Sequence, residues 1–257
     1  MTAAALSGRR VLVTRPAGQA EGIAGRIRRA GGEPVLFPTL EIVPVPAAAR
    51  LDALIAALDA YDLAIFISSN AVNSGLALVR ARRDWPVALR VAAVGPGSAR
   101  ALNQAGIGGV ILPRAGFDSE GLLALPELQH MAGRRVVIFR GEGGREVLGD
   151  TLRARGAQLE YAECYRRARP KADAAPLVAR CMRGEIDAVS VTSSEGLRNL
   201  WDMLGTQGQE CLRSLPLFAP HERIAAVARG LGVRKVVVTA AGAGGLLDGL
   251  AAFFATV

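Results

Sequence analysis

Short, almost wholly apolar runs alternate along this chain with longer helix-like segments. Val11-Leu12-Val13-Thr14 leads through a turn into a segment that ends at Gly31, where a glycine C-cap is expected. Ala64-Ile65-Phe66-Ile67, Val91-Ala92-Ala93-Val94 and Val110-Ile111-Leu112 follow, each with its own turn and helical stretch. A second series begins at Val136-Val137-Ile138-Phe139, closes its first helix at Gly156, and continues through Val189-Ser190-Val191-Thr192, Leu215-Pro216-Leu217-Phe218 and Val236-Val237-Val238. Strands this apolar, alternating with helices, specify parallel sheets covered on both faces.

The two series are copies. Gly8-Arg9-Arg10-Val11 returns 125 residues later as Gly133-Arg134-Arg135-Val136 (133 − 8 = 125). Arg15 returns as Arg140, Glu21 as Glu146, Gly31 as Gly156, Asp62 as Asp187 and Ser68-Ser69 as Ser193-Ser194, all at one offset without a gap. A constant offset over this span marks a duplication of one α/β unit. Proline-bearing stretches from Pro38 to Pro46 and from Arg169 to Pro176 follow the first strand–helix unit of each copy and favour extended chain. Linkers inside the copies imply that the chain crosses twice between two interleaved domains. The expected division is 1–37 with 172–257 as one domain and 46–165 as the other, joined by linkers 38–45 and 166–171.

In parallel α/β sheets, ligands bind beyond the carboxyl ends of the strands, where helix N-termini present free N–H groups. The candidate residues are therefore those of the turns: Arg15, Ser68, Asn70, Gly95 and Ser98 in the first copy, and Arg140, Thr192 and Ser193 in the second. Ser68, Ser98 and Ser193 also suit plain helix N-caps. Tyr165 stands apart, in the polar stretch Tyr161-Ala-Glu-Cys-Tyr-Arg-Arg at the entry to the second linker, where a phenol could hydrogen-bond or protonate a ligand. Gly95-x-Gly97 and Gly141-x-Gly143 lack the third glycine of a dinucleotide fingerprint, and no Gly-x-Ser-x-Gly elbow occurs.

Composition narrows the partner. The net charge is +8, and of 31 basic residues only Lys171 and Lys235 are not arginine. The arginines are scattered and just 7 Phe, 2 Trp and 3 Tyr accompany them, so no stacking platform for nucleic acid emerges and a small polyanion fits better. Three cysteines and two histidines match no metal or redox spacing, which points to free thiols and no metal. No apolar stretch reads as a signal peptide or membrane span, so a soluble, cytoplasmic protein is expected.

Taken in order, Val11-Leu-Val-Thr-Arg-Pro16, Phe66-Ile-Ser-Ser-Asn-Ala-Val72, Val94-Gly-Pro-Gly-Ser-Ala-Arg100, Asp118-Ser-Glu-Gly-Leu-Leu123, Phe139-Arg-Gly-Glu-Gly-Gly-Arg-Glu146, Tyr165-Arg-Arg, Val191-Thr-Ser193 and Pro220-His-Glu-Arg-Ile224 resemble the uroporphyrinogen-III synthase family over nearly the whole chain. The resemblance implies two flavodoxin-like α/β domains on a two-stranded linker with the active site in the cleft. It implies conversion of hydroxymethylbilane to uroporphyrinogen III with no metal or organic cofactor; a monomer in transient contact with hydroxymethylbilane synthase is the accompanying expectation. Tyr165 matches the family's linker tyrosine and would assist departure of the hydroxyl. Ser68, Ser98, Thr192 and Ser193 match hydroxyl positions lining the family's cleft and, with Asn70 and Gly95 of the same turns, are expected to bind substrate, while Arg15 and Arg140 would pair with its acetate or propionate groups. Ile67 stands where a threonine is common, and Pro220-His221-Glu222 replaces a Gly-Pro-x-Thr turn, which removes a hydroxyl there. The alternative from another class is a non-catalytic two-domain clamp that closes on a polyanion.

Overall fold

The computed structural model describes residues 5–46 and 48–256. Residues 1–4 and 257, placed by the sequence in the first domain, and residue 47, placed in the second, lie outside the described residues. The elements in order are β1 (Arg10–Val13), α1 (Ala17–Arg29), β2 (Glu33–Leu36), β3 (Glu41–Val43), α2 (Ala49–Ala56), β4 (Leu63–Phe66), α3 (Ser69–Arg80), β5 (Arg90–Ala93), α4 (Pro96–Gln104) and α5 (Ser119–Leu123). They continue with β6 (Arg135–Gly141), α6 (Val147–Ala154), β7 (Gln158–Ala168), α7 (Ala175–Met182), β8 (Ala188–Ser190), α8 (Ser194–Ser214), β9 (Leu217–Ala219), α9 (Glu222–Gly230), β10 (Val236–Val238) and α10 (Gly242–Phe254).

Two compact units result, Met1–Glu41 with Ala168–Val257, and Ile42–Arg167. The first unit's sheet has the order β10-β9-β8-β1-β2, and the second's β3-β7-β6-β4-β5. Numbered within the repeat, the first is 2-1-3-4-5 read from β2, the doubly wound order of a flavodoxin-like fold. Its strands 1 and 2 come from the first copy and strands 3 to 5 from the second. The other sheet takes strands 1 and 2 (β6, β7) from the second copy and strands 3 and 4 (β4, β5) from the first.

Burial on both faces follows from the alternation of side chains along each strand. In the first unit, Leu12 and Val189 face a core filled by α7, α8 and α9, while Val11, Val13 and Phe218 face α1 and α10. In the second, Ala64, Phe66 and Phe139 face α2, α3 and α4, and Ile65 and Ile138 face α5 and α6. Phe66 and Phe139 stack with centroids 4.6 Å apart. Gly31 and Gly156 end the first helices with φ of 84° and 91°, a left-handed turn that glycine alone adopts freely.

Two expectations need correction, and two strands join those read from the sequence. Val110-Ile111-Leu112 is not a strand: one parallel bridge, Ala92 to Ile111, is all that pairs. Pro113 has no N–H to extend it, and Gly106 and Gly109 before it sit at positive φ. The segments after Gly31 and Gly156 are strands, β2 and β7, starting 125 residues apart (158 − 33 = 125). The residues read as linkers are partly sheet: β3 lies beside β7, and β7 itself runs to Ala168.

The matched aspartates explain themselves as clamps. Asp187 accepts the Arg10 backbone N–H at 2.7 Å and its Nε–H at 3.0 Å, while its own N–H donates to the Arg10 carbonyl. Asp62 does the same for Arg135, accepting its N–H at 2.8 Å, and pairs with Arg134. Asp187→Ala leaves that N–H without its acceptor and should lower the unfolding free energy by about 1–2 kcal/mol, read in urea titrations; an unchanged midpoint would show that the clamp holds nothing. The Arg135 N–H, and after it Arg134, hold the Asp62 carboxyl below its ordinary value. Its contribution is therefore complete above the unfolded value of about 3.9 and disappears as pH falls through the lower folded value. Asp62→Asn should flatten that acid limb.

Candidate functional site

The second unit's carboxyl edge is shaped by one irregularity. β6 and β7 pair Arg140 with Glu163 and then Gly141 with Tyr165, so Cys164 is an extra residue in a bulge. Without the bulge, Tyr165 would fall on the opposite face of the sheet, with Leu159 and Tyr161 against the α5 and α6 core. With it, Cys164 and Tyr165 both turn inward beside Ala162. The Cys164 thiol donates to the Arg140 carbonyl at 3.2 Å, and burial pushes that thiol up to about 12.

Tyr165 is 3% exposed, and its ring lies flat against Gly141, where an added Cβ would stand 2.7 Å from the ring. Its hydroxyl ends 3.1 Å from Ser68 Oγ. Ser68 is the N-cap of α3 and accepts the Ala71 N–H at 3.1 Å. The phenol, the serine and a helix N-terminus thus form one hydrogen-bonded set. Asn70 lies in the first turn of the same helix. Gly95 caps α4 by backbone alone, and Ser98, buried in its first turn, is not the cap. A Cβ on Gly97 would stand 3.2 Å from Ser69 Oγ, so the starts of α3 and α4 adjoin.

Arg140 departs from its expected role. Its guanidinium is buried, donates to the Gly143 carbonyl at 3.2 Å, pairs with Glu146 at 2.9 Å and stacks on Tyr161 at 4.5 Å. The side chain frames the loop from Gly141 to Glu146 and offers no free cation.

In the first unit, Arg15 leaves β1 and Thr192-Ser193 leaves β8, its neighbour, two and three residues past the Val13–Ser190 pair. Ser193 is the N-cap of α8 and accepts the Gly196 N–H at 3.0 Å. Arg15 is half-buried, and burial alone pushes its guanidinium pKa down. No carboxylate faces it among the described residues. Ser194 Oγ, in the next position, is buried with no hydrogen-bond partner among the described residues. Ser194 belongs to the same turn as Thr192 and Ser193 and is the match of Ser69 in the repeat. His221 precedes α9 and makes no side-chain cap bond.

A cavity of about 500 Å³ in the second unit is lined by Val45, Arg50, Glu142, Tyr161 and Glu163 among others, and by none of the predicted residues. Its two carboxylates against one arginine are the wrong sign for a polyanion. Among the described residues no three His, Cys, Asp or Glu side chains gather to hold a metal, and no helix is long and apolar enough to cross a membrane.

Residues 21–248 match the family model described as uroporphyrinogen-III synthase HemD. The chain is 38% identical to the uroporphyrinogen-III synthase of Salmonella typhimurium over 230 residues, 89% of this chain and 94% of that one. It is 37% identical to that of Escherichia coli over the same shares. Among solved structures, a mutant uroporphyrinogen III synthase of Thermus thermophilus aligns with a TM-score of 0.63 at 21% identity, covering 97% of this chain and all of that one. The Helicobacter pylori uroporphyrinogen-III synthetase aligns at 0.58 and 13% identity over 94% of this chain and 97% of that one, a likeness of fold.

The contact between Gly141 and Tyr165 admits a direct check. Gly141→Ala must displace the ring, so a loss of about 1–3 kcal/mol is expected in denaturant unfolding, with a shifted tyrosine signal in near-ultraviolet circular dichroism. A variant as stable as the parent, with that signal unmoved, would show that the ring is not held there.

Proposed function

The chain belongs to the uroporphyrinogen-III synthase family, and its activity is that of this hydro-lyase-type enzyme; we propose that it works by pairing substrate carboxylates with Arg15 and delivering a proton through the Ser68–Tyr165 hydroxyl pair. The substrate in this reading is hydroxymethylbilane, a linear tetrapyrrole with eight carboxylates. It loses its terminal hydroxyl as water, closes through a spiro intermediate and inverts ring D to give uroporphyrinogen III. The protein acts as a soluble cytoplasmic monomer without metal or organic cofactor, meeting hydroxymethylbilane synthase transiently.

The observation that carries the binding half is Arg15. A guanidinium drawn out of water without a counter-ion is costly, and a carboxylate that reaches it regains charge-assisted hydrogen bonds. Thr192 and Ser193 follow the neighbouring strand β8, Ser194 opens α8, and Ser194 Oγ lacks a partner among the described residues. Three hydroxyls and one cation suit a carboxylate with room for hydrogen bonds from both.

The chemical half rests on the hydroxyl pair. Hydroxide is a poor leaving group, so a proton must reach the departing oxygen in the transition state. Ser68 Oγ already accepts the Ala71 N–H. When Tyr165 also donates to it, the Ser68 proton is free to point outward. The N-terminus of α3 carries partial positive charge, which eases transient negative charge on either oxygen. Asn70, Gly95 and Ser98 border the same helix starts and serve to orient the pyrrole chain. Spontaneous closure gives the uninverted isomer, so holding the substrate's conformation is as much the task as accelerating water loss.

The assay supplies hydroxymethylbilane, oxidises the products and separates isomers I and III. Isomer III should dominate with the parent. Arg15→Gln should raise KM about 10-fold or more with kcat less affected, the loss of one charge-assisted pair. Tyr165→Phe should lower kcat about 10- to 100-fold while the unfolding midpoint is kept. Unchanged turnover in Tyr165→Phe would remove the phenol from the reaction. Tight binding with isomer I alone would return the chain to the non-catalytic clamp.

A further inference from the structure

α8 is not continuous: Gly205, at φ 60° and ψ −176°, separates its first segment from a second that carries Gly208 and Cys211. This second segment packs closely on α7. A Cβ on Gly208 would stand 2.9 Å from Val178 Cγ2, so the two helices meet there with no room for a methyl group. Three residues further along each helix, one turn on and on the same face, come Cys181 and Cys211. The Cys211 side chain is near enough to Cys181 to act on its thiol. Both are free thiols and both are only partly buried, unlike Cys164.

We propose that Cys181 and Cys211 are a reversible disulfide site that reacts with small-molecule disulfides and, when closed, staples α7 to the far segment of α8. Burial, and after it the neighbouring Cys211 side chain, make the Cys181 thiol hard to ionise, so Cys181 is assigned the second step. The Cys211 thiolate attacks one sulfur of the reagent, the reagent's S–S bond breaks and one thiolate leaves. Cys181 then loses its proton and attacks the Cys211 sulfur of the mixed disulfide, expelling the second thiolate. Two protein thiols are oxidised to one disulfide, the reagent is reduced by two electrons, and the two protons pass to its two thiolates. Neither sulfur belongs to the groups assigned to the synthase reaction, so the site can be tested independently of it.

The full chain is equilibrated with oxidised and reduced dithiothreitol in graded ratios, then unfolded and alkylated. The reduced protein should show all 3 thiols, and the oxidised protein should keep the Cys164 thiol alone, with a peptide bridge joining Cys181 to Cys211. The unfolding midpoint of the oxidised form should rise by about 5–10 °C, because the closed loop restricts the unfolded chain. Cys211→Ser should fold with the reduced parent's midpoint and show no rise under the same oxidation. Three alkylatable thiols across the whole series, stable single adducts without a bridge, dimers linked between chains, or a bridge to Cys164 would each overturn the proposal.

Discussion

The fold depends on joining strands that the chain itself cannot bring together cheaply. Parallel neighbours admit no hairpin, and in both sheets the central pair comes from distant parts of the sequence, β1 beside β8 and β4 beside β6. Asp187 closes a separation of 177 residues onto Arg10, and Asp62 one of 73 onto Arg135. Each carboxylate takes the backbone N–H just where the ladder begins and returns its own N–H to the opposite carbonyl. The central strands therefore start level; β1 and β8 also end level, while β6 runs on to Gly141 past its last pair with β4, Phe66 with Phe139. That alignment brings the helix starts of each unit to one edge.

At that edge the chemistry is a matter of which polar groups remain uncommitted. Serine N-caps are occupied by their own helices, as Ser68 and Ser193 show. Arginine at a strand end can be spent on a loop, as Arg140 is. What remains among the described residues is Arg15 without a carboxylate, Ser194 Oγ without a partner, and a phenol that bonds to a capping serine. These are the groups for which a ligand would supply something the protein does not.

The repeat was legible because a duplicated backbone keeps the residues that its geometry needs: the glycines with positive φ, the clamping aspartates and the capping serines. The interleaving was legible from proline placement inside each copy. Less visible was anything set by pairing across the sheet. β2 and the long β7 carry charged residues such as Glu33, Glu160 and Glu163, as sheet margins do, and so lack the apolar signature of the inner strands. The bulge at Cys164 leaves no mark in the sequence, because the extra residue exists only relative to β6. The same holds for Arg140, whose match to Arg15 is exact in sequence and whose surroundings differ: Glu146 and Tyr161 stand ready for it, while Glu21, the match of Glu146, pairs instead with Arg28.

That difference bears on how a symmetric fold handles an asymmetric reaction. Leu40 is the match of Tyr165 in the other copy, and it occupies the equivalent place: a Cβ on Gly196, in the first turn of α8, would stand 3.6 Å from Leu40 Cδ1 and 3.1 Å from Thr39 Oγ1. Leucine brings no hydroxyl, so Ser193 has the Gly196 N–H as its bond where Ser68 has both Ala71 and Tyr165. The copies have thus exchanged assets. One edge has the phenol and an arginine bound into its loop; the other has an arginine that no carboxylate faces among the described residues, and an apolar side chain in place of the phenol. A duplicated scaffold that retained both at both edges could bind its substrate in two orientations. In the reading proposed above, carboxylate binding by Arg15 and proton delivery by Ser68 and Tyr165 fall to different units, and that division would distinguish one end of a linear molecule from the other.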